Sequence, residues 1–313
     1  MRKIPKGNLL KKFLIIFVIF VIFYFLIRSI VTNWQKIDFS LIRFSFKVLA
    51  LSLSFLIASS LLGIFSWLKN LSVLGKKISY PAALRIVAIS QMGKYIPGKV
   101  WSVGGRIVLA KGYGVPEVLT AAGLLIETIA LSLSAFVLFL VALPFFGQSL
   151  PQKFFFSFLF IPLSIIFLHP KILKWLINLG GKILKREVSL PELKLRSIIF
   201  IYLLYFLSWF IHATGFFFLV RSIYPVPFRS FLGVLGAFSF AWVFSMGIIF
   251  LPGGFGVREG VLAFLLKLFL PLPIASLMSL LGRLWTTLGE LVILLVAILL
   301  RGDYGKERKE ERS

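Results

Sequence analysis

Apolar residues fill long runs of this chain, and polar residues are confined to the gaps between them. The runs Phe13–Val31, Phe46–Leu68, Val118–Leu143, Phe154–Leu168, Ser197–Val220 and Ile274–Leu300 each read as a membrane-crossing helix, since a hydrocarbon core takes about 20 apolar residues at helical rise. Two further apolar blocks, Tyr80–Lys111 and Phe231–Leu270, are interrupted in the middle. Pro97-Gly98 breaks the first, and Pro252, Gly253 and Gly254 break the second. Proline removes a backbone donor, and glycine costs roughly 1 kcal/mol in a helix interior. Such backbone is tolerated at membrane depth only where protein buries it or where it lines a cavity. Both blocks therefore predict re-entrant helical hairpins, with an interfacial pair of helices as the alternative for Tyr80–Lys111.

Charge predicts which way each segment runs. Basic loops stay in the cytoplasm. The N-terminal MRKIPKGNLLKK, the cluster Lys69, Lys76 and Lys77, the loop from Lys171 to Arg196 and the charged tail 301–313 mark that side. Tyr80–Lys111 must then enter and leave from the cytoplasm, and Phe231–Leu270 from outside. The spans and hairpins form an inverted repeat, an architecture found in transporters.

Composition narrows the class. Of 313 residues, 59% are hydrophobic, and the apolar runs leave no room for a separate soluble domain. We expect an all-α polytopic membrane protein: about six transmembrane helices plus two inverted hairpins, in one integral-membrane domain, residues 1–313. Multi-pass insertion in the cell membrane, with both termini cytoplasmic, follows. The first run reads as a retained helix rather than a cleaved signal, because no small-residue cleavage site follows it. The net charge of +24 would suggest nucleic acid in a soluble chain. Here the basic residues sit in loops and tails, where they set topology and meet anionic lipid, so no nucleic-acid partner is expected. The chain has no cysteine, which excludes disulfides and thiolate metal sites, and its only histidines are His169 and His212. No metal and no cofactor is expected.

Three acids fall within the membrane zone: Glu127, Glu259 and Glu290. A charge at that depth costs about 2.5–3.5 kcal/mol or more unless paired or wetted. The cations within reach are Arg106, Arg258 and Arg283, with Lys94 and Lys99. Two readings stay open. The charges form a wet groove that handles a lipid headgroup, or they are ion pairs that lock the hairpins to the bundle. Lys94, Lys99 and Arg106 flank Pro97-Gly98, and a cationic break of this kind suits a lipid phosphate. His212 reads as a packed histidine. Catalysis has little support: aspartate occurs only at Asp38 and Asp303, outside the spans, and no nucleophile-elbow or zinc-protease motif is present.

The segments QMGKYIPGKVWSVGGRIVLAKGYGV, ETIAL and LPGGFGVREGVLAFLL resemble the membrane domain of bacterial lysylphosphatidylglycerol synthases and their stand-alone, flippase-like relatives. The resemblance implies movement of a lipid between leaflets, with Arg106, Glu127, Arg258 and Glu259 near the lipid path. It also keeps a polyprenyl-phosphate substrate open, through relatives linked to lipid-carried glycans. The chain runs only about a dozen residues past its last span, so the synthase activity of the two-domain members is not expected here. The expected function is a lipid flippase or lipid-binding transporter for an anionic, zwitterionic or polyprenyl-phosphate-linked headgroup. The alternatives are a membrane enzyme or an accessory scaffold in lipid-linked glycan or cell-envelope assembly. The expected headgroup contacts are Lys94, Lys99, Arg106, Glu127, Arg258, Glu259, Arg283 and Glu290. The expected partners are membrane lipids, an anionic phospholipid or a polyprenyl phosphate. Self-association into a homo-oligomer stays open.

Overall fold

The computed structural model describes residues 24, 28, 31, 42–95, 100–146, 166–183, 190–247 and 256–300. Most of the spans read at Phe13–Val31 and Phe154–Leu168 lies outside the described residues. So do Pro97, Gly98, Lys99, Pro252, Gly253 and Gly254, and the tail 301–313.

Every regular element among the described residues is helical: α1 (Phe46–Val73), α2 (Tyr80–Gln91), α3 (Val100–Gly112), α4 (Glu117–Ala142), α5 (Pro170–Ile183), α6 (Leu195–Arg221), α7 (Phe231–Gly247), α8 (Val257–Leu266) and α9 (Leu272–Leu299). Single-turn 3-10 pieces lie at Met92–Tyr95, Leu143–Phe146 and Phe228–Ser230. Five segments are long and apolar enough to cross a membrane: Phe46–Val73, Glu117–Phe146, Leu195–Arg221, Phe228–Gly247 and Leu272–Leu299. The 28 residues of α1 rise roughly 42 Å at 1.5 Å each, more than the ~30 Å hydrocarbon core. The chain is an all-α polytopic membrane protein.

Local chemistry fixes the helix ends. Ser45 caps α1 by accepting from the Val48 N–H (3.4 Å), and Ser79 caps α2 by accepting from the Ala82 N–H (3.4 Å). Helix α1 stops at Gly75, whose φ of 87° suits glycine, and Lys76 N–H bonds back to the Leu71 carbonyl at 3.0 Å. Pro116 and Pro271 stand immediately before α4 and α9. Proline there costs nothing, because the first helical N–H groups have no partner in the helix anyway.

The most extensive helix contact is the seam between α1 and α6. Small polar residues let the two backbones approach. Ser52 Oγ donates to the Gly215 carbonyl (2.7 Å), and Ser208 Oγ donates to the Ser59 carbonyl (2.9 Å). Around this seam, α4 packs on α7 and α6, α8 packs on α7 and α9, and α2 packs on α3 and α9. The outward side chains of α9, among them Leu284, Leu288, Leu295 and Leu299, remain exposed, as lipid-facing residues do.

Each broken block is a pair of packed helical arms. Helices α2 and α3 contact one another, as do α7 and α8. The first arm of the second block, with its preceding turn, is by itself long and apolar enough to cross a membrane. The loop read at Lys171–Arg196 holds an unexpected element, helix α5. Its apolar residues recur at helical spacing, and Leu173 and Ile177 on one face are buried against the bundle. The dense lysines of this stretch concealed the pattern.

Candidate functional site

The intramembrane acids anticipated from sequence each meet a cation. Arg106, on α3, places Nη1 2.7 Å from Glu127 Oε2 on α4. Its Nε donates to Ser90 Oγ (3.1 Å), its Nη2 donates to Gln91 Oε1 (3.2 Å), and the guanidinium lies 5.6 Å from the Trp67 ring centroid. The side chains of Arg106 and Glu127 are only 6% and 17% exposed. The fork of a guanidinium is suited to this: it bonds a carboxylate, a hydroxyl and an amide at once while its face rests on an aromatic ring.

Glu290, on α9, takes two partners from the 3-10 turn that ends the first arm. Lys94 Nζ forms an ion pair with Oε1, and Tyr95 Oη donates to Oε2 at 2.8 Å while lying 3.0 Å from Thr287 Oγ1. Helix α9 thereby holds the end of the first hairpin arm. Lys99 lies outside the described residues.

Glu259 serves α8 itself. Gly256, at φ 84°, precedes the helix, and its N–H donates to Glu259 Oε2 at 2.7 Å. This is the carboxylate half of a capping box, satisfying a donor the helix leaves free. The other oxygen faces Arg283 Nη1 on α9 at 3.6 Å. Arg258 differs from the rest. It is 8% exposed and lies 5.0 Å from the Phe238 ring centroid, and no hydrogen bond or ion pair reaches it among the described residues. The nearest charges are Glu259, Arg283 and Glu290. Among the described residues, Lys94, Arg258 and Arg283 thus stand against Glu259 and Glu290 around the middle of α9.

Beside the Arg106–Glu127 and Lys94–Glu290 pairs lies a cavity of about 180 Å³, walled by α1, α2, α4, α6 and α9; Arg258, Glu259 and Arg283 do not line it. Glu127 and Glu290 both line it, with Gln91, Ser59, Ser60, Tyr205, Ser208 and His212. The two carboxylates, one from each half of the chain, look into the same space, while their cations sit behind them. The volume corresponds to roughly six water molecules. That admits part of a polar headgroup but not a lipid with its chains.

The sequence reading missed most of this wall. His212 faces the cavity; its Nδ1 is 3.1 Å from Ser59 Oγ, and its ring stacks on Trp209 at 5.6 Å. Ser59 Oγ also donates to the Leu56 carbonyl at 2.7 Å, so His212 Nδ1–H is the donor to Ser59 and Nε2 carries the lone pair. Tyr205 Oη has no hydrogen-bond partner among the described residues, although the residue is almost wholly buried. A signal was present in the sequence. Ser52, Ser59, Gly63 and Ser66 recur along one face of α1, a polar stripe in an otherwise apolar helix.

The fold and this interior define a polytopic helical membrane protein with a small interior cavity that two carboxylates line. The chain belongs to the family of the lysylphosphatidylglycerol synthase TM region, whose family model matches residues 10–296. No curated protein and no solved structure matches it. Membership supports a membrane role connected with lipid.

Proposed function

We propose that the protein moves a lipid across the membrane as a flippase, passing the polar headgroup through the cavity while the apolar chains stay in the bilayer. The observation that carries this is the cavity wall: Glu127 and Glu290 converge on one partly open, largely apolar cavity from opposite halves of the chain. Buried carboxylates that served only as helix ties would not need to share a void. The acceptors of the cavity wall favour a headgroup with hydroxyl or amine donors, and Lys94 and Arg106, paired with the carboxylates that line it, suit an anionic or zwitterionic one, including a polyprenyl phosphate. In this reading the two helix pairs are re-entrant hairpins related by inversion, both termini are cytoplasmic, the protein lies in the cell membrane, and the lipid leaves chemically unchanged.

The test is transbilayer movement of a fluorescent short-chain phospholipid in proteoliposomes, read by bleaching of the outer leaflet. Glu127→Gln and Glu290→Gln should abolish movement. Ser60→Phe, which fills the cavity, should do the same. Leu284→Ala, on the lipid-facing side of α9, should leave the rate unchanged. Wild-type rates in all three cavity variants would overturn the proposal, and so would a lipid product of altered mass.

A further inference from the structure

Helix α5 has two faces with different chemistry. Leu173 and Ile177 are buried in a cluster with Leu74, Ala122, Ile126 and Ile201. These contacts all lie at one end of the bundle: Leu74 follows the last residue of α1, and Ala122 and Ile201 fall in the first turns of α4 and α6. A helix 14 residues long, packed on α4 and sharing a buried cluster with the ends of α1 and α6, lies at the level where hydrocarbon gives way to headgroups. Its start is fixed by His169, whose Nδ1 accepts from the Lys171 N–H at 3.3 Å, and by Pro170 at the first helical position.

The opposite face is exposed and mixed. Lys171, Trp175 and Leu179 follow one another at intervals of four residues, so they share a face. Trp175 is 62% exposed and Leu179 is 42% exposed. Ile166 and Phe167, just before the helix, are also exposed. Tryptophan beside lysine is the pairing found at the water–membrane boundary: the indole sits at headgroup level and the ammonium reaches phosphate. Charge identifies the occupant. From Lys171 to Arg196 the basic residues are Lys171, Lys174, Lys182, Lys185, Arg186, Lys194 and Arg196, against the acids Glu187 and Glu192. Such an excess is complementary to anionic headgroups and has no counterpart in a neutral leaflet.

We infer that α5 is an interfacial helix that binds the anionic lipid surface of one leaflet through Lys171, Lys174, Trp175 and Leu179. The same helix bears on the cavity wall from behind. Its buried cluster includes Ile126, next to Glu127, and Tyr205, which lines the cavity.

The natural absence of cysteine allows a direct test on the full chain. A fluorophore on Leu179→Cys is read in vesicles of phosphatidylcholine alone and of phosphatidylcholine with phosphatidylglycerol. Chain-nitroxide lipids should quench it, and the neutral aqueous quencher acrylamide should quench it only weakly. Phosphatidylglycerol should deepen the protection from acrylamide. Lys171→Glu with Lys174→Glu should remove that gain, each charge accounting for roughly a fivefold change in lipid partitioning. Unchanged thermal unfolding of the variants shows that they fold. Equal acrylamide quenching in both vesicle types overturns the inference, because the face then has no preference for anionic lipid. Protection from acrylamide and lipid nitroxide together also overturns it, because protein then covers the face. No transport is measured, so the outcome is independent of the flippase reading.

Discussion

The Arg106–Glu127 pair lets the structural and transport roles of a buried charge be separated. At 2.7 Å, with an effective dielectric of 20, the Coulomb attraction is about 6 kcal/mol. Desolvation of two ions costs several kcal/mol each and offsets most of it. The intact pair therefore adds little net stability, whereas removing one partner strands the other. Breaking a buried pair typically costs about 3–5 kcal/mol. For Glu127→Gln the expected cost is near the lower end, about 3 kcal/mol, because Arg106 keeps its bonds to Ser90 and Gln91. Arg106→Gln should cost a similar amount by leaving the carboxylate alone. The double variant, Arg106→Gln with Glu127→Gln, should lie within about 1 kcal/mol of wild type, a coupling of several kcal/mol. Stability is measured by reversible unfolding in mixed micelles, and transport by the proteoliposome assay. The double variant should fold and fail to move lipid, since the cavity has lost a carboxylate. Additive costs, with coupling under about 0.5 kcal/mol, would refute the view that these charges depend on one another. A stable double variant with wild-type transport would leave the pair a helix tie and nothing more.

Arg258→Met should keep the unfolding midpoint near wild type and abolish transport, because a buried cation with no ion pair among the described residues is replaced by an apolar chain of similar length; a large drop in midpoint would show that the guanidinium has a stabilising partner. Tyr95→Phe removes a hydroxyl from Glu290 and Thr287, and on a part-exposed side chain should cost about 1 kcal/mol. Hydrogen exchange at Met92–Tyr95 should speed up, and unchanged exchange would refute the tie. Gly289→Ala would place a Cβ 2.5 Å from the Leu56 side chain, and Gly282→Ala one 2.6 Å from the Phe216 ring. Each should destabilise by about 1–3 kcal/mol in a thermal melt, and a melt at the wild-type midpoint would mean that α9 can move away freely.

The described spans α1, α4, α6 and α9 could be read from the sequence because lipid enforces one rule on every residue of a crossing helix. The acids at Glu127, Glu259 and Glu290 were equally legible, since a charge in such a run needs a partner. Which cation each would meet was not. Lys94 is separated from Glu290 by almost two hundred residues, and hydropathy carries no information about that approach. Helix α5 was hidden for the opposite reason: its lysines lower the local hydropathy although its apolar residues keep helical spacing. His212, read as a packed histidine, does pack against Trp209, and it also faces the cavity. Whether a buried polar residue looks into protein or into a void depends on the helix opposite it, which no periodicity within one helix reports.

The two ties of the first hairpin run to different halves of the chain, Arg106 to α4 and Lys94 to α9. The halves are therefore not interchangeable parts. A hybrid that took its second half from a relative with a neutral residue at position 290 would inherit a lysine with no acid to meet, although every residue of the first half stayed native. Charge at positions 94 and 290 should change together, because either change alone breaks the ion pair that ties the turn at Met92–Tyr95 to α9.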